Sequence, residues 1–407
     1  MIVLSGADVI LPDRMLSPGT VVVDRDRIVE VDRGTRPADG TAPHLDLSGH
    51  LIAPGFIDVH VHGVEGTDTL DSEDAVAIIA RRMPRFGVTA FCPTSIACSP
   101  TVLRRLLDAI RVARSGERLG AASAGPGGEL VPARRAARVL PTHLESNFIN
   151  PEFKGAQPLE CLRLPQAALE GDFSGPDILA VIASRRAEVG IVTVAPELEG
   201  VPDLIRDLVG QGHHVSLGHS GASYEEAMAG IDAGARQATH LFNRMTPLNH
   251  RQPGLAAAVL DHDAMTAEVV CDGVHVHPAM VRVAIAAKRP SHIMAITDGT
   301  AGAGLPRGTR TTIGGRPITV GDIAALDDGT IAGSVLTMNQ AFAKLVTSMG
   351  VSLVEAAAMC STTPARALGL QGFGTITAGS VADLVVMDRN FAVTHTFIDG
   401  TLINTRP

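Results

Sequence analysis

His60 and His62 stand one residue apart in the run GFIDVHVHG. On a β-strand, residues i and i+2 point to the same face, so both imidazoles enter one space and can share one metal ion. Glu145 closes the run VLPTHLE, where a carboxylate oxygen can complete or bridge a metal site, or serve as an ordinary salt-bridge partner. His219 (in HVSLGHS) and His240 (in QATHLF) are separated by a stretch that fits one β-α unit, so neighbouring strands would set two more imidazoles side by side. Asp298, in HIMAITDG, is a carboxylate able to take a proton from metal-bound water and later deliver it to a leaving group. A bound metal brings the pKa of that water to about 7. Four histidines, a glutamate and an aspartate suit Zn²⁺, with Fe²⁺, Co²⁺ or Mn²⁺ as alternatives and room for one or two ions. His250, Arg251, His275 and His277 follow two of these runs and offer positive charge for an anion such as a phosphate. A GxxxxGK[ST] phosphate loop, a GxSxG elbow and a strand-to-helix GxGxxG are all absent.

The elements needed to position these residues are visible around them. Eight apolar, β-branched runs occur at 55–63, 88–95, 139–145, 190–197, 214–220, 237–242, 267–273 and 292–299. Helical stretches lie between most of them, including SEDAVAIIARRMPRF, SPTVLRRLLDAIRVAR, GPDILAVIASRRAEVG and ASYEEAMAGIDAG. Alternating β and α segments predict a parallel sheet, and eight strands close a barrel. The candidate residues fall at the ends of the runs, which is where the active sites of α/β barrels lie. Residues 1–52 and 373–407 instead show short alternating strands broken by Gly, Pro and Asp. They predict one small β-sandwich domain assembled from both chain ends, with residues 53–372 as an inserted (β/α)8 TIM-like barrel. The Gly-, Ala- and Arg-rich segment 113–139 reads as a surface loop.

The chain has 407 residues, 45% of them hydrophobic, enough for a large core. A net charge of −9, no Trp and a single Tyr argue against a nucleic-acid partner or an anionic membrane. Five cysteines without a CxxC pair read as reduced thiols of a cytoplasmic protein. The first residues, MIVLSGADVILPD, read as a strand rather than a signal peptide, and no apolar run reaches the length of a membrane span.

The motifs PGFIDVHVHG, HLE…NPEFKGAQP, GHSGASYEEA, THLFNRMTPLNHRQPG, DGVHVHP, TDGTAGAG and AGSVLTMNQA resemble the N-acetylglucosamine-6-phosphate deacetylases of the amidohydrolase superfamily. The likeness covers most of the chain, including STTPARALGL and GSVADLVVMD near its end. It implies removal of acetate from N-acetylglucosamine 6-phosphate by attack of metal-bound hydroxide on the acetamide. Glu145, His219 and His240 are then the principal metal ligands, Asp298 the catalytic acid/base, and His60 with His62 a second metal position. Ala156 and Gln157 would line the sugar site. Asn243, Arg244 and Arg251 would lie at the phosphate, with Arg251 reaching across a homodimer. Asp272, Gly273, Val274 and His275 would hold the sugar phosphate, and Ile331, Ala332 and Gly333 would close on it. Three departures from the family pattern bear on the substrate: Ser146-Asn147 replaces Gly-Pro after HLE, Gln157 stands where some members place His, and Arg244 stands where Ala is common. Deacetylation of N-acetylgalactosamine 6-phosphate or another N-acyl compound is the alternative within the same chemistry. A sugar-phosphate-binding protein without catalysis is the alternative outside it.

Overall fold

The computed structural model describes residues 1–38, 40, 42–115, 136–167 and 171–405. Eight strands form the barrel: β1 (Phe56–Val61), β2 (Val88–Ser95), β3 (Thr142–Glu145), β4 (Val189–Val194), β5 (His214–Leu217), β6 (Gln237–Ala238), β7 (Thr266–Val270) and β8 (Ile293–Ile296). They pair in chain order, all parallel. β8 returns to β1 through a parallel bridge between Val61 and Gly299, and the Asp298 N–H donates to the His60 carbonyl at 3.1 Å. The strands are short because each needs only to cross the barrel wall. They are buried almost throughout, as parallel strands covered on both faces must be, which is why they read as apolar runs. All eight runs therefore mark strands, and the expected barrel is the observed fold.

Several of the helices that cover the barrel start on residues suited to starting them. α1 (Ala75–Arg82) and α2 (Pro100–Ser115) precede α3 (Gly175–Ser184), whose Ser174 and Asp177 form a reciprocal capping box. α4 (Val201–Gly210) has Pro in its first turn, and α5 (Tyr224–Asp232) repeats the box with Ser223 and Glu226. α6 (Gly254–Asp261), α7 (Pro278–Lys288) and α8 (Met338–Thr347) complete the ring, with Phe342 of α8 stacked on Phe56 of β1 at 5.5 Å between ring centroids. α2 runs through Ser115, so the segment expected as a loop from 113 begins as helix. Residues 116–135 lie outside the described residues, and Arg138–Val139 adds a short strand beside β2.

Both chain ends contribute to one eight-stranded sheet, in which Leu51–Pro54 pairs on one side with Ile2–Ile10 and on the other with Leu384–Met387. Its apolar core, including Leu4, Val21, Ile28, Ile52, Val386 and Phe397, draws every buried member from 4–52 or 376–397. Arg138 ties this sheet to the barrel through Asp399 at 2.8 Å and Asp383 at 3.2 Å. Two elements lie outside the sequence-based expectation: a small antiparallel pair, Gly63–Val64 with Thr67–Asp68, and a three-stranded antiparallel sheet of Arg310–Ile313, Arg316–Val320 and Ala324–Leu326 that follows β8. Gly314 and Gly315, both at positive φ (54° and 78°), make its first two-residue turn.

Candidate active site

The chemistry-bearing residues occupy equivalent places on different strands. Glu145 is the last residue of β3. His219, His240 and Asp298 each stand two residues beyond the last residue of their strand, Leu217, Ala238 and Ile296. All three have left-handed backbone, with φ of 48°, 31° and 48°. Such conformations cost a non-glycine residue on the order of 1–3 kcal/mol and persist where the surroundings impose them, as at active sites. The turn takes each side chain out of the strand direction and into the barrel mouth. His60 and His62 enter from β1, with their Nε2 atoms 3.2 Å apart.

The donor atoms converge. Glu145 Oε1 lies 2.8 Å from His219 Nε2 and 2.9 Å from His240 Nε2, and those two nitrogens are 3.0 Å from each other. Its other oxygen, Oε2, lies 3.6 Å from His62 Nε2, while Asp298 Oδ1 stands 3.4 Å from His62 Nε2 and 3.5 Å from His60 Nε2. Proton placement shows what this cluster is built for. His219 Nδ1 faces the Phe153 carbonyl at 2.8 Å and must donate to it. His60 Nδ1 faces Glu268 Oε2 at 2.9 Å and must donate there. In the neutral rings both Nε2 atoms are then lone pairs, pointing at other acceptors. Acceptors facing acceptors in a buried site need a positive charge between them, either added protons or a metal ion, and this set of imidazoles and carboxylates fits a divalent metal.

Without a cation, protons take its place. Burial pulls the His60 imidazole down, but the charges of Asp298, Glu268 and Glu145 outweigh it and bring the ring up to about 10. Glu145 is opposed by burial yet held well below the ordinary carboxylate range by His219 and His240. Asp298 is likewise opposed by burial and held low by His60 and His62. Beneath them, burial pushes the Asp58 carboxyl up to about 7 against hydrogen bonds from Thr297 and the His60 N–H.

Above this floor opens a cavity of about 420 Å³. Of the sequence-predicted residues, it is lined by His62, Glu145, His219, His240, Asp298, Ala156, Gln157, Asn243, Arg244, Val274, His275, Ile331, Ala332 and Gly333. Six others are not at its surface, among them the exposed His250 and His277, the latter capping α7 by accepting from the Ala279 N–H at 3.2 Å. His60 is fully buried under His62. Asp272 and Gly273 stand behind His275: the Asp272 carboxylate accepts from the backbone N–H groups of Val274 and His275, both at 2.8 Å, and lies 2.5 Å from His275 Nδ1. That fixes the ring, leaving the buried His275 Nε2 with no protein partner among the described residues, in a residue that lines the cavity. The Arg251 side chain is exposed and lies outside the cavity lining.

Gln157 is oriented from behind. Its Oε1 accepts from the Ala97 N–H at 2.7 Å, which turns Nε2 toward Glu145 Oε2. Gly333, at φ +81°, lets the backbone pass Asp298, where an added Cβ would come within 2.9 Å of the Asp298 carbonyl oxygen. Ser146 and Asn147 do not line the cavity: the Ser146 hydroxyl donates to the Thr193 carbonyl at 2.5 Å, and the Asn147 amide donates to the carbonyls of Cys98 and Cys161 at 2.8 and 2.7 Å. Sequence reasoning missed the apolar wall of Ile96, Phe153, Phe242, Met245 and Ile313, the acidic Glu152 at the same wall, and the buried His143 and Glu268 below the floor. For Glu268 a signal existed, a charge inside the apolar run TAEVV; for the loop residues of the wall there was none.

The Amidohydrolase family matches residues 51–403. The human N-acetylglucosamine-6-phosphate deacetylase is 37% identical over 371 residues, covering 88% of this chain and 84% of that one. The N-acetylgalactosamine-6-phosphate deacetylase of Escherichia coli O157:H7 is 34% identical over 381 residues, covering 91% and 94%. Among solved structures, a mutant N-acetyl-D-glucosamine-6-phosphate deacetylase from Mycobacterium smegmatis, in complex with N-acetyl-D-glucosamine-6-phosphate, superposes with a TM-score of 0.86 at 31% identity over 99% of both chains. The Pasteurella multocida N-acetylglucosamine-6-phosphate deacetylase gives the same TM-score, 0.86, at 26% identity over the full length of both. The chain therefore belongs to the amidohydrolase family, as a hydrolytic deacetylase.

Proposed function

We propose that this enzyme hydrolyses the acetamide of N-acetylglucosamine 6-phosphate to glucosamine 6-phosphate and acetate. The observation that carries the reading is one carboxylate, Glu145, gathered with two imidazoles under a cavity whose wall holds Arg244 and His275. Glu145, His219 and His240 would hold the principal cation, and His60 with His62 a second one that shares Glu145. We expect zinc, with iron, cobalt or manganese as alternatives. A cation bound there supplies a Lewis acid that polarises the acyl oxygen and acidifies water at neutral pH.

The chain's own groups supply the rest. Asp298, ionised by its neighbours, takes the proton of the attacking water on a carboxylate oxygen and returns it to the departing amine nitrogen. Gln157, held by Ala97, keeps an amide N–H on Glu145 and places that amide at the cavity surface beside Ala156. His275 Nε2 and the Arg244 guanidinium meet the phosphate, with Asn243 beside them, and Asp272 through Gly273 and Val274 fixes the His275 ring. Ile331, Ala332 and Gly333 close the opposite wall and exclude water from the acyl group. In this reading residues 53–372 carry the chemistry, and residues 1–52 with 373–407 form the supporting β domain. Arg251, outside the cavity of its own subunit, acts in a homodimer at the partner's mouth.

The test is acetate release by purified protein of known metal content, with N-acetylglucosamine and its 6-phosphate side by side. Strong preference for the phosphate is the expected result, and equal rates would remove the anion site. The second reading, N-acetylgalactosamine 6-phosphate as substrate, is favoured by the 34% identity to the Escherichia coli relative of that name. It would replace the first if that epimer gave the higher kcat/KM.

A further inference from the structure

We infer that Glu268 is a positioning residue that fixes the proton of His60 on Nδ1 and thereby sets the affinity of the second cation position. The inference rests on the two-position reading above. Glu268 lies on β7, fully buried, and does not reach the cavity. Every neighbour presents it with an N–H. Gln237 Nε2 donates to Oε1 at 2.5 Å, the His240 backbone N–H points at Oε2 at 3.4 Å, and His143 Nδ1 lies 3.6 Å from Oε1 while also 3.1 Å from the Val59 carbonyl. A carboxylate so surrounded is an acceptor only, and so is the face it shows to His60 Nδ1 at 2.9 Å.

His60 therefore has one admissible tautomer. With the proton on Nδ1, its Nε2 lone pair faces His62 Nε2 at 3.2 Å and Glu145 Oε1 at 3.8 Å, where a cation would sit. With the proton on Nε2, a lone pair would face the buried Glu268 charge, and an N–H would occupy the ligand direction. A buried carboxylate is tolerated only when fully paired, and this one gives one of its two oxygens to a ligand histidine at 2.9 Å. A carboxylate on the far nitrogen of a ligating imidazole also raises its basicity toward metal. The first position is built differently: His219 Nδ1 is held by the neutral carbonyl of Phe153. Behind His60 thus stands a carboxylate and behind His219 a carbonyl; of the proposed ligand histidines, Glu268 meets a ring nitrogen only at His60, and it reaches the first position no closer than the 3.4 Å contact with the His240 backbone N–H.

That difference supplies an internal control. Metal-stripped protein is titrated with Zn²⁺ against a competing chelator, and bound metal per subunit is read by elemental analysis. Wild type is expected to take up two ions. Glu268→Gln keeps an acceptor oxygen but loses the charge, so the first ion should bind as in wild type and the second about 10- to 100-fold more weakly. Glu268→Met removes the acceptor and should hold one ion where wild type holds two. A merely structural role would weaken both ions together. A second ion bound by Glu268→Gln within about threefold of wild type overturns the inference, and Glu268→Gln decides alone if Glu268→Met does not melt cooperatively. A wild type that takes up at most one ion overturns the two-position reading itself.

Discussion

The floor and the mouth of the cavity are built on opposite plans. On the floor, His60, His62, Glu145, His219, His240 and Asp298 are all less than 9% exposed and hold one another at 2.8–3.8 Å. Each comes from a strand or one or two residues past its end, and His60 and His219 are also anchored from behind by a carboxylate or a carbonyl. At the mouth, Arg244 and Arg251 are exposed on a loop, Val274 is 54% exposed and Ile331 42%. Large apolar side chains left open to water at a cavity rim are candidates for burial against a ligand. The contrast teaches a division of labour. The floor is preorganised for one kind of chemistry, and the mouth remains free to set which substrate reaches it.

That division is tested by asking whether floor and mouth substitutions have separable effects. Removing Glu145, the carboxylate common to both proposed cation positions, should do most. Glu145→Gln is expected to lose bound metal and more than about 10³-fold in turnover, since Lewis-acid stabilisation contributes several kcal/mol. Metal analysis beside acetate release checks it, and a variant with full metal and near-normal rate would break the proposed site. Asp298→Asn comes next: kcat should fall about 10²- to 10⁴-fold with KM kept. Among the described residues, Asp298 contacts the cluster through His60 and His62 at 3.5 and 3.4 Å and not through Glu145, His219 or His240, so the principal ion should stay bound. A fall in KM-linked affinity instead would place Asp298 with the mouth.

At the mouth the pattern should invert. Arg244→Ala is expected to raise KM for the phosphorylated substrate roughly 10- to 100-fold, as loss of a hydrogen bond to a charged group amounts to about 1.5–3 kcal/mol. Metal content, and the rate with the unphosphorylated sugar, should not change. Gly155 supports this placement, because a Cβ there would come within 2.9 Å of Arg244 Nε. Arg251→Ala should raise the same KM by a smaller, severalfold amount, and only if sedimentation shows a dimer. A change below twofold in a dimeric protein would take Arg251 out of the site.

The same contrast governs how much was legible in the sequence. Floor residues announce themselves because a barrel forces chemistry to strand ends: HVH, THLE, GHS, ATH and ITD each interrupt an apolar run with a ligand type. Glu268 and His143 escaped because they lie within runs, where a charge reads as noise until its partners are known. The sheet over 310–326 escaped too, although Gly314-Gly315 between TTI and RPITV is a hairpin signal. Its strands belong to neither the barrel rhythm nor the terminal sheet, so no pattern framed them. The wall of Phe153, Phe242 and Met245 depends on how loops fold back, which periodicity does not encode.

The smallest effect concerns what burial does to the floor itself. Asp58 lies wholly inside the barrel, accepting from the Thr297 hydroxyl at 2.6 Å and from the N–H groups of His60 and Thr297, each at 3.3 Å. Burial, the dominant influence, raises its carboxyl to about 7 from an ordinary 3.8. The folded protein then binds this proton more tightly than the unfolded chain does. The associated stability is present below about pH 4 and is lost as pH rises toward about 7. Asn has nothing to titrate. In Asp58→Asn the amide oxygen keeps both backbone N–H groups, and the Thr297 hydroxyl can turn toward the His60 carbonyl, 3.5 Å away, to accept from the new amide. Metal-free Asp58→Asn should therefore gain on wild type by a few degrees in Tm between pH 5 and pH 8. A constant difference in Tm across that range would mean that the floor tolerates a buried charge at Asp58, so that its strand-to-strand ties, not its protonation, set the rigidity the mouth lacks.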